Sequence, residues 1–177
     1  MESVSSRSRP RLLIVMGVSG SGKTTIAERL ATRLGYHFAE GDDFHPAANI
    51  AKMSRDEPLT DADRAPWLAA IHAYAAARLD AGDHLVITCS ALKHRYREVL
   101  LAGIPDARVI YLRGTRPVIA DRLRTRHGHF FPAALLDTQL SALEEPTAAE
   151  NPLTVDIGPS PDTIVTEIIH DLDAASP

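Results

Sequence analysis

Cysteine occurs once, at position 89, in a chain of 177 residues. A single thiol closes no internal disulfide and supplies no thiolate framework for a structural metal, which excludes a disulfide-stapled domain and leads us to expect a reducing, cytoplasmic setting. Lysine is almost as scarce: Lys23, Lys52 and Lys93 stand among 19 basic residues, and the other sixteen are arginines. Positive charge as a whole is in deficit, with a formal net charge of −4. This argues against nucleic acid or a membrane surface as partner, because both demand surplus cations. Any anionic ligand must instead be met by cations that converge locally. Long apolar runs are missing too, and stretches such as Leu12 to Met16 are far too short to cross a bilayer. What is present is ordinary globular composition, 45% hydrophobic and 24% charged, over a length that suits one domain. The first ten residues, rich in Ser and Arg, are expected to be a flexible N-terminal tail, with a single domain over 11–177.

Short aliphatic runs alternate with segments of helical period, the pattern of βα units around a parallel sheet. Strands are expected at 11–16, 36–39, 84–89, 107–112 and 153–157. Ile26, Leu30 and Leu34 share one helical face, with Gly35 as the stop after it, and Leu68, Ile71, Ala75 and Leu79 repeat the spacing ahead of Gly82. A further helix begins near Thr115 and Pro117. The last has Ser160 as N-cap and Pro161 at its first position, with Val165, Ile168, Ile169 and Leu172 as its buried stripe. Two stretches interrupt the alternation: 40–64, polar and rich in Asp and Pro, and 126–146, which combines His, Phe and Pro with a short helix around Leu136, Leu140 and Leu143. Loops of such length in a compact domain are functional or disordered.

The first strand runs directly into Gly17-Val18-Ser19-Gly20-Ser21-Gly22-Lys23-Thr24, followed by Thr25. The pattern G-x-x-x-x-G-K-[ST] arises by chance about once in a thousand chains of this composition. Glycines let successive backbone N–H groups turn inward around phosphate oxygens, and the helix opened by the loop points its positive end at the same anion. Lys23 then reaches the β- and γ-phosphates of ATP, and the Thr24 hydroxyl ligates Mg²⁺. A guanine-specific Asn-Lys-x-Asp motif is lacking, since no lysine follows an asparagine. The third strand ends in Cys89 and Ser90 rather than in the aspartate usual in motor and transport ATPases. These absences point to a small-molecule kinase.

Acidic groups for such chemistry follow the second strand in Glu40-Gly41-Asp42-Asp43-Phe44-His45-Pro46. Three carboxylates in four residues at the carboxyl end of a strand lie where ligands bind in open α/β sheets. Phosphorylating a hydroxyl needs one carboxylate to accept its proton and can use another on the Mg²⁺ side. Asp42 is the first candidate for the base, with Glu40 and Asp43 as Mg²⁺-side or structural alternatives. His45 either hydrogen-bonds a substrate hydroxyl or braces the turn.

GVSGSGKTT, EGDDFHP with Asn49 and Lys52-Met53 behind it, PLTDADRAPWL (58–68), CSALKHRYR (89–97), HFFP (129–132) and LLDTQLSALEEP (135–146) occur in this order. Together they resemble the gluconate kinases of the thermoresistant gluconokinase family, over nearly the whole chain from residue 12. The resemblance implies a P-loop kinase fold, a three-layer α/β sandwich with a five-stranded parallel sheet, a substrate-binding excursion over 40–64 and a helical lid over 126–146. It also implies phosphorylation of D-gluconate by ATP at the 6-hydroxyl, and a homodimer. Kinases for other small metabolites, such as shikimate, and a non-catalytic nucleotide-binding regulator are the alternatives. An open-chain sugar acid needs a cation for its carboxylate, and Arg64, Lys93 and Arg97 are available. An arginine fork matches a carboxylate best, and Arg64 comes first by analogy with shikimate kinases. Arg122 and Arg126 lie four apart on one helical face, and the likeness to related kinases implies that such arginines precede or belong to a lid over ATP, stacking on adenine or neutralising charge in the transition state. His127 and His129 lack the companions a zinc site needs. Cys89 is expected to be a buried strand-end residue, and Trp67 and Tyr74 pack on the core or shape the pocket wall.

Overall fold

Leu12 to Met16 is apolar at every position, and the strand it forms, β1 (Leu12–Met16), is buried on both faces at the centre of a sheet. The computed structural model describes residues 9–126 and 132–175. Beside β1 lie β3 (Leu85–Thr88) and β4 (Ala107–Arg113), and outside these β2 (His37–Ala39) and β5 (Leu153–Asp156). All pairings are parallel, in the order β2-β3-β1-β4-β5. The pleat sends successive side chains to opposite faces. Leu13 and Val15 therefore join Ile26 and Leu30 of α1 (Lys23–Leu34) and Val165 and Ile168 of α7 (Pro161–Ala174) in one core. Leu12, Ile14 and Met16 join Trp67, Leu68 and Ile71 of α3 (Asp61–Asp80) and Leu100 of α4 (His94–Leu101) in the other. Two helical layers over one parallel sheet explain why the central strands β1 and β3 are buried on both faces, whereas β5 at the edge alternates buried Leu153 and Val155 with exposed Thr154 and Asp156.

The five expected strands and the helix stops agree with this architecture to within a residue or two. Thr115 precedes α5 (Arg116–Thr125), and the Ser160 hydroxyl caps α7 by accepting from the Thr163 N–H at 3.3 Å. Differences appear where the chain is polar. Residues 40–64 are ordered as a 3-10 turn at Gly41–Phe44, α2 (Ala47–Ser54) and the first turn of α3. The start of α3 is set by Thr60, whose hydroxyl accepts from the Asp63 N–H at 3.1 Å while the Asp63 carboxylate accepts from the Thr60 N–H at 2.8 Å. This reciprocal cap begins the helix seven residues before its apolar stripe begins at Leu68. In the second polar stretch α6 (Ala133–Ala142) contains the expected Leu136 and Leu140, but Leu143 lies just past its end.

Of the expected tail, residues 1–8 lie outside the described residues, and the last two are tied to the body. Arg9 pairs with Asp173 at 2.5 Å, and the Tyr36 hydroxyl donates to the Pro10 carbonyl at 3.1 Å. His127, His129 and the HFF of 129–131 also lie outside the described residues. Among the described residues, no helix is long and apolar enough to cross a membrane.

Candidate functional site

Parallel strands deliver their following loops to one edge of the sheet, so the phosphate loop after β1, the acidic turn after β2 and residues 89–93 after β3 meet at the carboxyl ends. Gly22, the last residue before α1, has φ +92°, a conformation that side chains rarely adopt. It turns the chain so that α1 starts at Lys23 with its free N–H groups toward the edge. Val18 is 3% exposed and belongs to the core, whereas the Ser21 hydroxyl is buried with no hydrogen-bond partner. Lys23 folds back over the loop and donates to the carbonyls of Gly17 and Val18 at 3.0 and 3.1 Å. Burial pushes its ammonium below the ordinary lysine range, with Asp42 and Glu40 acting in the opposite direction.

Gly41 fixes the acidic turn against β3. Its N–H donates to the Thr88 hydroxyl at 3.0 Å, and a Cβ at this position would fall inside the Thr88 carbonyl oxygen. The Glu40 carboxylate accepts from the Thr24 hydroxyl at 2.6 Å and also from that of Thr88. Asp42 projects from the turn with 74% of its side chain exposed.

Two cavities of about 320 Å³ each open along this edge. The first is lined by Asp42, His45, Met53, Asp56, Glu57, Arg64, Trp67 and Ser90, and is closed on one side by Pro132, Leu135, Thr138 and Gln139 at and around α6. The second is lined by Gly20, Gly22, Thr24, Thr25, Glu40, Arg122 and Arg126. Ser19, Lys23 and Asp42 line both. The junction thus carries a hydroxyl, an amine and a carboxylate, with cations on both sides of it.

Three residues proposed for a substrate carboxylate part company here. Arg64, in the first turn of α3, lines the first cavity, donates to the Leu59 carbonyl and lies 5.8 Å from the centre of the Tyr96 ring. Lys93 and Arg97 line neither cavity. Lys93 is paired with Asp61 at 3.2 Å. Arg97 is 1% exposed and holds Glu150 at 2.6 and 3.1 Å while donating to the Ala91 carbonyl at 2.9 Å. A guanidinium buried in this way, lining neither cavity and engaged by a carboxylate and a carbonyl, is turned away from a ligand there, so its expected role at the substrate gives way to a structural one. Asp43 also lines neither cavity. Arg122 donates to the Ser21 and Ile157 carbonyls and so braces the phosphate loop against the end of β5.

Sequence reasoning missed several contacts. Trp67 is core and wall at once: it is 2% exposed, its ring stacks on His45 at 4.1 Å, and its Nε1–H donates to the Gly41 carbonyl at 2.8 Å. Tyr74 packs on Phe44. Gln139 of α6 accepts from the Ser19 N–H at 2.7 Å and donates to its hydroxyl at 3.0 Å, joining the second polar stretch to the phosphate loop. Its only trace in the sequence is its place in the 135–146 block. Cys89 is buried, which pushes its thiol up to about 12 and leaves no thiolate nucleophile.

A magnesium ion is implied by a phosphate loop, and the donor set can be tested against it. Among the described residues no cluster of three or more His, Cys, Asp or Glu is arranged to hold a metal. Thr24 and Glu40, already in contact at 2.6 Å, offer a hydroxyl and a carboxylate beside the second cavity. Few oxygen ligands with room for phosphate oxygens and water is how Mg²⁺ is usually bound at nucleotide sites, so the residues fit it.

The family profile described as an AAA domain matches residues 12–146. A gluconokinase of Gluconobacter oxydans is 49% identical, with 94% of this chain and 93% of the relative covered. The thermoresistant gluconokinase of Escherichia coli is 44% identical over 90% of this chain and 91% of its own. Among solved structures, a gluconokinase from Sinorhizobium meliloti superposes with a TM-score of 0.88 at 43% identity, covering 96% of this chain and 95% of that one. With two linked cavities at the strand ends and likeness of this extent in both sequence and structure, the chain belongs to the gluconokinase family.

Proposed function

We propose that this protein transfers the γ-phosphoryl group of ATP to the 6-hydroxyl of D-gluconate, giving 6-phospho-D-gluconate and ADP. The observation that carries the assignment is the junction: Ser19, Lys23 and Asp42 line both cavities, so a phosphoryl group held in one meets a hydroxyl held in the other. ATP occupies the second cavity, its phosphates cradled by residues 17–25. Lys23 exchanges the Gly17 and Val18 carbonyls for β- and γ-phosphate oxygens. Arg122 and Arg126 neutralise charge on the phosphates, most of all in the transition state. Thr24 and Glu40 hold Mg²⁺, which when bound screens the charge of the phosphate oxygens.

Gluconate lies in the first cavity with its carboxylate on the Arg64 fork and its 6-hydroxyl toward Lys23. Asp42 accepts the hydroxyl proton as oxygen attacks phosphorus and the bond to the departing ADP breaks. His45 hydrogen-bonds substrate hydroxyl oxygen. Catalysis of this kind is mostly positioning and charge neutralisation. α6, in the described part of the expected lid over 126–146, walls the gluconate cavity and bonds the phosphate loop through Gln139, so that it closes over the site within a single domain, and the enzyme works in the cytoplasm as a homodimer.

The test is ADP release with gluconate, with shikimate and with neither, the phosphorylated product being identified by ³¹P NMR. Release that depends on gluconate and yields a phosphate monoester at C6 is expected. Turnover that answers to shikimate, or to no added acceptor, removes the assignment.

A further inference from the structure

Behind His45 lies a buried amide, Asn49, that the transfer as described leaves unused. Asn49 of α2 is 3% exposed, and a buried amide needs acceptors for its N–H bonds. Its Nδ2 donates to the Asp63 carbonyl at 2.9 Å. A carbonyl oxygen only accepts, so the amide nitrogen, and not its oxygen, occupies this side. The same nitrogen lies 3.2 Å from His45 Nδ1. An amide nitrogen only donates, which makes Nδ1 the acceptor and leaves the proton of the neutral ring on Nε2. Burial lowers the affinity of this imidazole for a second proton, which favours the neutral ring.

Nε2 faces Asp42, whose Oδ1 is 3.9 Å away. That distance is too long for a direct hydrogen bond, but one hydroxyl oxygen spans it, accepting from Nε2–H and donating to the carboxylate. His45 is held for this by the stack on Trp67, whose indole is bonded to the carbonyl of Gly41, the residue before Asp42. Ring, indole and acidic turn therefore form one packed unit.

We propose that Asn49 is a positioning residue for the transfer: it fixes the tautomer of His45, so that one N–H opposes the Asp42 carboxylate and the two orient the substrate hydroxyl between them. A hydroxyl so held has its proton on Asp42 and one lone pair on His45, and the other lone pair is left to face phosphorus. The role rests on Asp42 being the base.

Two measurements test it. In protein labelled with ¹⁵N-histidine, long-range ¹H–¹⁵N spectra read the tautomer of the His45 ring directly, its signals being identified by their loss in His45→Gln. Protonation at Nε2 is expected in the unaltered enzyme, and protonation at Nδ1 overturns the proposal. The second is a kinetic cycle. Asn49→Leu is expected to lower kcat about tenfold, the value of one well-placed hydrogen bond, while leaving the KM for ATP unchanged. In a His45→Gln background, where the donor no longer depends on a tautomer, the same substitution should cost little. An equal loss in both backgrounds makes Asn49 purely structural and overturns the proposal. Failure of the base assignment shows separately, as an unchanged kcat in Asp42→Asn with the Nε2–H signal intact.

Discussion

At the scale of single residues the site works by giving each charged group one free face. Asp42 keeps its carboxylate exposed at the junction while Glu40 is engaged by two threonine hydroxyls, which separates a group able to take a proton from one suited to the Mg²⁺ side. Asp42→Asn is therefore expected to lower kcat by about two to four orders of magnitude, with the KM for ATP within about twofold of its original value by steady-state kinetics. Arg64 lines the first cavity and not the second. Arg64→Lys retains charge but loses the fork, so the KM for gluconate should rise about tenfold while that for ATP stays fixed. The phosphate loop and the acidic turn were legible in the sequence because their chemistry is local, a matter of residue types at fixed spacing, whereas Arg64 stood out from Lys93 and Arg97 only by analogy. Asn49 and Gln139 were not, because nothing in a short polar segment says which side chain will be buried or which backbone group it will meet.

At the scale of elements, the acidic turn is held by its contact with β3. Gly41→Ala drives a methyl group into the Thr88 carbonyl, so the turn must shift and carry Asp42 with it. Overpacking of this kind costs about 1–3 kcal/mol. Urea unfolding should show that loss, and kcat should fall even where the protein stays folded. A second tie joins α4 to the segment before β5. There the Arg97 guanidinium holds the Glu150 carboxyl at about 2, against an ordinary 4.5. A depressed carboxyl stabilises the fold fully above its unfolded value, and the contribution is lost as pH falls through the folded one. Glu150→Gln leaves a buried guanidinium without its anion, at a cost of about 3 kcal/mol near neutrality. Urea midpoints should show the gap between the variant and the original protein narrowing as pH drops from 4.5 toward 2.

At the scale of the whole molecule, a chain with net charge −4 brings Lys23, Arg64, Arg122 and Arg126 to the two cavities on one edge of the sheet, the local convergence that two anionic ligands would need. Ligand binding to the folded state alone should then raise stability. ATP at a hundred times its dissociation constant adds about 2.7 kcal/mol, which for a domain of this size is a rise in Tm of about 5–10 °C by scanning calorimetry. By itself the sequence determined the strand and helix alternation, the phosphate loop and the acidic turn, since hydrophobic period and glycine spacing act over a few residues. Only the tertiary structure decided which cations face the cavities. Lys93 and Arg97 match Arg64 in charge, but they are taken by Asp61 and Glu150, 32 and 53 residues away in sequence. Such pairings are set by the packing of α3, α4 and the approach to β5, which no local spacing encodes.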